Sequence, residues 1–202
     1  MKTRDKILTQ SLKLFNEKGM AQVGVRDIAR SLGLSPGNLS YHFPKKEDLI
    51  LELVNRMRAK NDAFYQQYFA ALPSLARFME TMRGIFFNQY DYQGLLIGQE
   101  EMKRILFNEY DYKAVEERRK AHFRTIFLGL AAAGEMKLES EDADFLVSYM
   151  TLFGRFWILE CFVSTPDLPK DEAVDKYLLL LARQMSLFAT EQGKESLKPF
   201  FE

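Results

Sequence analysis

Apolar residues recur at helical spacing along almost the whole chain, and this pattern limits the possible folds more than any other feature. Near the start, Ile7, Leu14 and Phe15 fall on one helical face, and Gly19 follows as a C-terminal stop signal. No segment alternates apolar and polar residues with the period of two that is typical of a half-buried strand. The pattern predicts an all-α fold of about nine helices. After a first helix that ends near Lys18, they span about 25–32, 35–43, 46–70, 74–89, 94–108, 112–133, 141–163 and 171–189.

The composition of the 202 residues is that of a globular protein in a reducing compartment. Cys161 is the single cysteine, which excludes an internal disulfide and a multi-cysteine metal site. The N-terminal charges have no hydrophobic segment behind them, so no secretory signal is expected. No apolar run is expected to approach the roughly 18 residues that span a bilayer. The prediction is a cytoplasmic protein with no membrane partner, no metal and no cofactor.

The formal net charge of zero hides an asymmetry between the two ends of the chain. Residues 1–60 carry 12 Lys and Arg against 6 Asp and Glu, whereas residues 61–202 carry 16 against 22. A basic N-terminal part attached to an acidic remainder is an indication, weak by itself, of a module that binds an anionic partner.

The stretch SPGNLSYHF, residues 35–43, has the marks of a short helix that stays exposed. Ser35 is a good N-cap, Pro36 suits the first helical position, and Pro44 forces a break after Phe43. A preceding short helix ends at Gly33, so the two form a helix-turn-helix pattern. The pattern fits a recognition helix in the DNA major groove, or else a helical corner in an unrelated all-α protein.

The residues of this stretch offer the chemistry that DNA recognition uses. Asn38 can pair with adenine or donate to a phosphate, and Ser40 can do either. Tyr41 and His42 can reach phosphates near the helix end. A surrounding set of basic residues would supply the salt-dependent attraction: Lys2, Arg4, Arg26, Arg30, Lys45 and Lys46.

From Ile7 to Leu49 the sequence resembles the N-terminal domain of the TetR family of bacterial transcription regulators. The resemblance lies in the order of residues in IL…LF…KG…VRDIARSLGLSPGNLSYHFPKKEDL, about a quarter of the chain. It implies a three-helix DNA-binding domain, residues 1–48, and an all-helical effector-binding and dimerisation domain, residues 49–202. It also implies a homodimer on a near-palindromic operator. The residues expected to contact DNA are Arg26, Ser35, Pro36, Gly37, Asn38, Ser40, Tyr41, His42 and Lys46.

The sequence departs from the family pattern at three positions of this domain. Gly24 stands where a capping threonine is usual, Ser40 replaces a common tyrosine, and Lys45 stands where a capping serine or asparagine is frequent. These differences predict an altered operator sequence rather than a loss of DNA binding.

Aromatic residues are concentrated in the C-terminal part, where two interpretations remain open. Rings at helical spacing are most simply core residues, but some of them could line a cavity for an apolar or aromatic effector. The resemblance implies that such a cavity exists in this part of the chain, but it does not indicate which residues line it. The candidates are Phe86, Tyr90, Phe107, Tyr110, Phe123, Phe127, Phe153 and Trp157.

Two C-terminal helices are apolar on more than one side, which indicates burial on two faces. They are either deeply buried core helices or, as in proteins that this chain resembles, half of a four-helix bundle completed by a partner copy. The predicted dimer residues are Phe145, Tyr149, Leu178, Leu181 and Met185.

A catalytic role is not expected. His42 and His122 are the only histidines, and His122 lies in a charged segment that predicts a solvated face. Neither a glycine-rich phosphate loop nor a nucleophile elbow occurs. The sequence and the resemblance therefore predict a ligand-responsive regulator, a repressor released from its operator by a small effector. The alternatives are a TetR-like activator and a non-enzymatic helical partner-binding protein.

Overall fold

The computed structural model describes residues 2–98, 102, 105, 112–139 and 141–201. Over these residues it has ten α-helices and two short 3-10 helices, Met20–Gln22 and Lys198–Phe200, together with one isolated β-bridge and no strand. This confirms the all-α prediction. The α-helices are α1 (Thr3–Lys18), α2 (Val25–Ser31), α3 (Pro36–His42), α4 (Lys46–Phe69), α5 (Leu75–Asp91), α6 (Gln93–Ile97), α7 (Tyr112–Ala132), α8 (Asp142–Ser164), α9 (Lys170–Ser186) and α10 (Glu191–Leu197).

The predicted helices agree with the structure except near the C-terminus and in the segment after residue 98, much of which lies outside the described residues. The start of the predicted helix 94–108 matches α6, and most of its remainder lies outside the described residues. The helix α10 was missed because it is largely polar, with only Gly193 and Leu197 buried, so it has no apolar period to detect.

The chain divides into two compact units, which we call the N-terminal unit and the C-terminal unit. The N-terminal unit comprises residues 1–59 and 91–111, and the C-terminal unit residues 60–90 and 112–202. The helix α4 contributes to both units. The predicted boundary between a DNA-binding domain and an effector-binding domain, after residue 48, is a functional division and stays a prediction.

The N-terminal unit has one apolar core, to which α1, α2, α3, α4 and α6 contribute. Asn16 on α1 fastens α6: its amide donates to the carbonyl of Asp91 (2.8 Å), and its side-chain oxygen accepts from the N–H of Gly94 (2.9 Å). A Cβ on Gly94 would lie 2.3 Å from the carbonyl oxygen of Phe15. Only glycine therefore allows the two backbones to approach this closely.

In the C-terminal unit α7 packs along α8, and a buried carboxylate connects the end of the chain to the start of α5. Glu135 accepts from the N–H of Leu75 (3.0 Å), from Ser196 Oγ (3.1 Å) and from Gln192 Nε2 (3.1 Å). A carboxylate at a helix N-terminus is favoured by the free N–H groups there. Glu135 therefore caps α5 and holds α10 at the same time.

Candidate nucleic-acid interface

The predicted recognition helix, α3, is short, and its two ends are determined by local sequence. The N–H of Asn38 donates to Ser35 Oγ (3.2 Å), and Pro36 occupies the first turn, which confirms the predicted cap. At the other end, the N–H of Phe43 donates to the carbonyl of Leu39 (2.9 Å) before the backbone becomes extended. Between these ends Leu39 is the one fully buried side chain of α3.

The other side chains of α3 form a continuous exposed face. Tyr41 is 85% exposed, and its ring meets that of the half-buried His42 edge-on at 5.3 Å. The remaining predicted contact residues of this segment are all exposed: Ser35, Pro36, Gly37, Asn38 and Ser40. A helix anchored on one side and open on the other has the form that a reader of the major groove needs.

The turn between α2 and α3 depends on Gly33, whose φ of 65° lies in the left-handed region. The N–H of Leu34 then donates back to the carbonyl of Ala29 (2.9 Å) and closes the corner. At the start of α2, Gly24 has no side chain with which to cap, but its own N–H donates to Asp27 Oδ2 (3.0 Å). The start of α2 is therefore stabilised without the threonine hydroxyl that is usual at this position in the proteins that the chain resembles.

Two of the predicted basic contacts differ in how freely they can reach DNA. Arg26 is exposed near the start of α2. Lys46 is half-buried, and its ammonium donates to the carbonyl of Met20 (2.6 Å) and lies 5.7 Å from the ring centre of Phe15. That Lys46 contacts DNA stays a prediction. Such a contact requires the ammonium to donate to a phosphate as well as to the carbonyl of Met20.

Sequence reasoning did not anticipate the group of ion pairs that joins α1 to α4. Arg4 Nη1 lies 3.1 Å from Glu52 Oε1, which also receives Arg56 Nε at 3.3 Å. Arg56 Nη2 in turn donates to Asp5 Oδ1 at 2.6 Å. We call these four residues the α1–α4 ion network. No local pattern predicts the two contacts between α1 and α4, because their partners are 48 and 51 residues apart in the chain.

The ion network lowers the pKa of both of its carboxyl groups. Hydrogen bonding to Arg4 is the largest cause for Glu52, and hydrogen bonding to Arg56 is the largest for Asp5. A lowered pKa in the folded state means that the network contributes stability above the ordinary carboxyl pKa. That contribution is lost as the pH falls through the lowered values.

The predicted effector-pocket residues fall into separate groups in the C-terminal unit. The ring of Phe86 lies 4.7 Å from that of Trp157 and 6.0 Å from that of Phe153, measured between ring centres. The indole N–H of Trp157 donates to Gln89 Oε1 (2.6 Å). Of this group Phe86 and Trp157 are buried. Trp157 therefore has both packed and polar partners.

The remaining pocket candidates are placed elsewhere or lie outside the described residues. Phe123 and Phe127 are buried and stack with ring centres 6.3 Å apart. The hydroxyl of Tyr90 donates to the carbonyl of Leu168 (3.3 Å). Phe107 and Tyr110 lie outside the described part of the chain. The prediction that some of these rings line a cavity stays untested.

His122 does not lie on a solvated face, which corrects the sequence interpretation. Its ring centre lies 5.2 Å from that of Tyr65 and 5.7 Å from that of Phe69. Partial burial lowers the pKa of His122 despite the opposing effect of Asp62. Among the described residues, no group of three or more His, Cys, Asp or Glu is placed to hold a metal ion.

The structure divides the predicted dimer residues into two classes. Leu178, Leu181 and Met185 are fully buried within the C-terminal unit of a single chain, so they have no area left to give to a partner. This corrects the prediction for these three residues. Phe145 is exposed and Tyr149 is half-buried, so both stay candidates.

Phe145 and Tyr149 belong to a longer apolar row along α8, which we call the α8 stripe. Its members follow one another in steps of four and three residues: Phe145, Tyr149, Leu152, Phe156, Leu159 and Val163. Leu152 is 62% exposed, and Phe145, Phe156 and Val163 are also exposed. Such steps are typical of a seam at which two helices pack together.

By length and composition alone, α8 could also cross a membrane. Its most apolar 18-residue window has a mean hydropathy of 1.4, and 33% of that window is buried within the chain. The expectation that no apolar run approaches this length was therefore wrong for α8. Because one side of α8 packs along α7, its apolar character has an explanation within a folded protein.

Comparison with known proteins agrees with this geometry. The sequence model of the family described as "Bacterial regulatory proteins, tetR family" matches residues 7–53. The HTH-type transcriptional repressor KstR2 of Mycobacterium tuberculosis is 31% identical over 88 residues, 44% of this chain and 42% of that protein. The HTH-type transcriptional regulator UidR of Escherichia coli K12 is 30% identical over 94 residues, 46% of this chain and 41% of that protein. The chain thus matches less than half the length of these curated relatives.

A solved structure extends the likeness to the whole chain. It is that of a TetR-family transcriptional regulator from Marinobacter aquaeolei VT8, with a TM-score of 0.84 and 27% identity. The match covers 99% of this chain and 98% of the other. The family match at α1 to α4, together with this agreement along both units, leads to one conclusion. The chain is similar to TetR-family regulators along its whole length, and the match to the family model itself covers residues 7–53.

Proposed function

We propose that the protein is a DNA-binding transcription regulator of the cytoplasm, and that α3 reads its operator. The observation that carries this proposal is the exposed face of α3, held by the buried Leu39 and by the Ser35 cap. The relatives that support it are named as transcriptional regulators rather than enzymes, and KstR2 is named as a repressor. The nine predicted contact residues are proposed as the DNA surface.

We propose further that the regulator is a homodimer formed through the α8 stripe. In a two-fold interface each copy presents the same surface, so one exposed apolar row is sufficient to build both sides. Leu180 on α9 and Leu187, directly after its last residue, are exposed apolar side chains as well. Such a dimer would present two copies of α3 to a near-palindromic site.

The proposed switch is a small apolar or aromatic effector bound in the C-terminal unit. Its binding would favour a dimer in which α4, which runs from one unit into the other, moves α3 out of register with the groove. Trp157 is the only tryptophan, so its fluorescence reports on binding near Phe86 and Gln89. A ligand that changes this fluorescence and leaves DNA affinity unchanged would contradict the switch.

Selection of duplexes from a random-sequence pool tests the proposal as a whole. Selection should yield a near-palindromic site that the dimer binds tightly, with an affinity that falls steeply as salt increases. Weak binding of equal strength to all duplexes would contradict operator recognition. Failure to bind any duplex would favour the alternative of a helical partner-binding protein.

Replacing Tyr41 with alanine is expected to weaken operator binding by about tenfold to a hundredfold. Tyr41 is exposed and bears no core contact, so the unfolding temperature should remain unchanged. Fluorescence anisotropy with the selected operator measures the affinity. Leu72→Ala is a matched control, because Leu72 is 86% exposed in the connection between α4 and α5. Equal affinities of the two variants would remove Tyr41 from the interface.

A further inference from the structure

The end of the recognition helix is in contact with the first turn of α1. The guanidinium carbon of Arg4 lies 4.8 Å from the centre of the Phe43 ring, within the range of a cation–π contact. Phe43 is buried, and its N–H donates to the carbonyl of Leu39 (2.9 Å) at the end of α3. Arg4 therefore packs on one of the side chains that anchor α3 to the N-terminal unit.

The orientation of α3 depends on few contacts, so the loss of any one of them should affect it. The helix has seven residues, and Leu39 is its one fully buried side chain, so Phe43 at its end is the second anchor. Readout of base edges requires side chains to be held close to the productive geometry. A contact that steadies Phe43 can thus affect recognition without touching DNA.

Glu52 is placed to keep Arg4 on the Phe43 ring. Its Oε1 accepts from Arg4 Nη1 (3.1 Å) and from Arg56 Nε (3.3 Å). Arg56 is itself held by Asp5, the neighbour of Arg4 on α1, at 2.6 Å. The Glu52 carboxylate thus connects α4 to the first turn of α1 through Arg4, and through Arg4 to the end of α3. Arg56 adds a second contact between the two helices, through Asp5.

We propose that Glu52 is a positioning residue for operator recognition, which acts by holding Arg4 against Phe43. The inference rests on the proposed function, since it concerns the same DNA-binding surface. The competing hypothesis is that Arg4 binds a DNA phosphate and that Glu52 only competes with this phosphate for Arg4. The two ideas predict opposite changes in operator affinity when Glu52 loses its charge. Loss of a carboxylate near DNA strengthens binding, unless that carboxylate holds the recognition helix in position.

The substitution Glu52→Gln separates these ideas, with Glu17→Gln as its matched control. Glu17 is an exposed carboxylate of the same unit that pairs within α1 with Lys13 at 3.9 Å. Both variants remove one negative charge. Affinities for the selected operator and for a scrambled duplex are measured over a salt series, well below the unfolding temperature of each variant.

For Glu52→Gln we expect operator affinity about fivefold to tenfold below that of Glu17→Gln, with scrambled-duplex affinity unchanged or raised. The slope of log affinity against log salt should not change, since no phosphate contact is lost. Simple destabilisation would move the unfolding temperature, but not the ratio of operator to scrambled affinity in the folded protein. Operator affinity equal to or above that of the control would overturn the proposal.

A second variant checks the route through Arg4. Arg4→Ala should reproduce the loss of specificity, and combination with Glu52→Gln should add little, because the two residues act on one contact. A smaller salt slope for Arg4→Ala alone would mean a direct phosphate contact and would overturn the proposed route. If the unchanged protein selects no operator, the proposed function and this inference both fail. If it selects one and Glu52→Gln behaves as Glu17→Gln does, the inference alone fails.

Discussion

A protein in which Leu152 is replaced by aspartate is expected to be a monomer at concentrations where the unchanged protein forms the proposed dimer. Leu152 is 62% exposed and lies within the α8 stripe, so replacing its side chain should disturb the core of the single chain little. In a two-fold interface the substitution places a carboxylate on both sides, and burial of an unpaired charge is costly. We expect the dimer dissociation constant to rise by about a hundredfold or more, from a loss of ~3 kcal/mol.

Sedimentation velocity over a concentration series measures this effect, and Leu128→Asp is its matched control. Leu128 is 52% exposed on α7, so it offers the same chemistry on another helix. The control should remain dimeric, and both variants should keep their unfolding temperatures apart from any contribution of dimer formation. A dimer binds both half-sites of an operator at once, with one copy of α3 in each. The monomeric Leu152 variant should therefore also lose operator affinity. Dissociation of the Leu128 variant instead would place the interface on α7.

Replacing Trp157 with alanine is expected to lower the free energy of unfolding by about 3–5 kcal/mol. Trp157 is buried, packs on Phe86 and Tyr177, and donates its indole N–H to Gln89, so truncation leaves both a void and an amide oxygen without its donor. For a chain of this size the loss corresponds to a fall of roughly 6–20 °C in Tm. Circular dichroism measures it, since the variant has no tryptophan fluorescence.

Trp157→Phe is the informative companion variant, because it keeps a ring beside Phe86 and removes only the hydrogen bond to Gln89 and part of the volume. It should lose clearly less stability than the alanine variant. A loss below about 1 kcal/mol for Trp157→Ala would mean that the ring borders a void rather than fills the core. That result would favour the interpretation of this aromatic group as an effector pocket.

Helix positions and the exposed face of α3 could be predicted because they depend on local chemistry. Ser35, Pro36 and Phe43 set the ends of α3 through contacts within a few residues, and Gly33 supplies the left-handed turn before it. Leu39 is the apolar member of an otherwise polar helix, so its burial could be expected from the pattern. The family resemblance rested on these same residues and was confirmed by comparison.

The interior of the C-terminal unit could not be predicted in the same way. The helices α8 and α9 are apolar on more than one side, and periodicity does not tell which side meets the chain's own core. The predicted interface residues Leu178 and Leu181 proved to be core, while Leu152 and Val163, which were not chosen, are exposed. The aromatic candidates were divided between separate groups for the same reason, since many rings at helical spacing fit many packings.

The amino-acid sequence by itself thus determined the all-α class, the helix boundaries set by caps, glycines and prolines, and the exposed face of α3. These features arise from interactions over at most a few residues, which a pattern records directly. Only the tertiary structure decided the partners of Glu135, the ion network of Glu52 and the free side of α8. Each of these joins groups tens of residues apart, or requires a choice between two apolar faces. Such contacts are settled when the whole chain packs, because only then does each side chain acquire its neighbours.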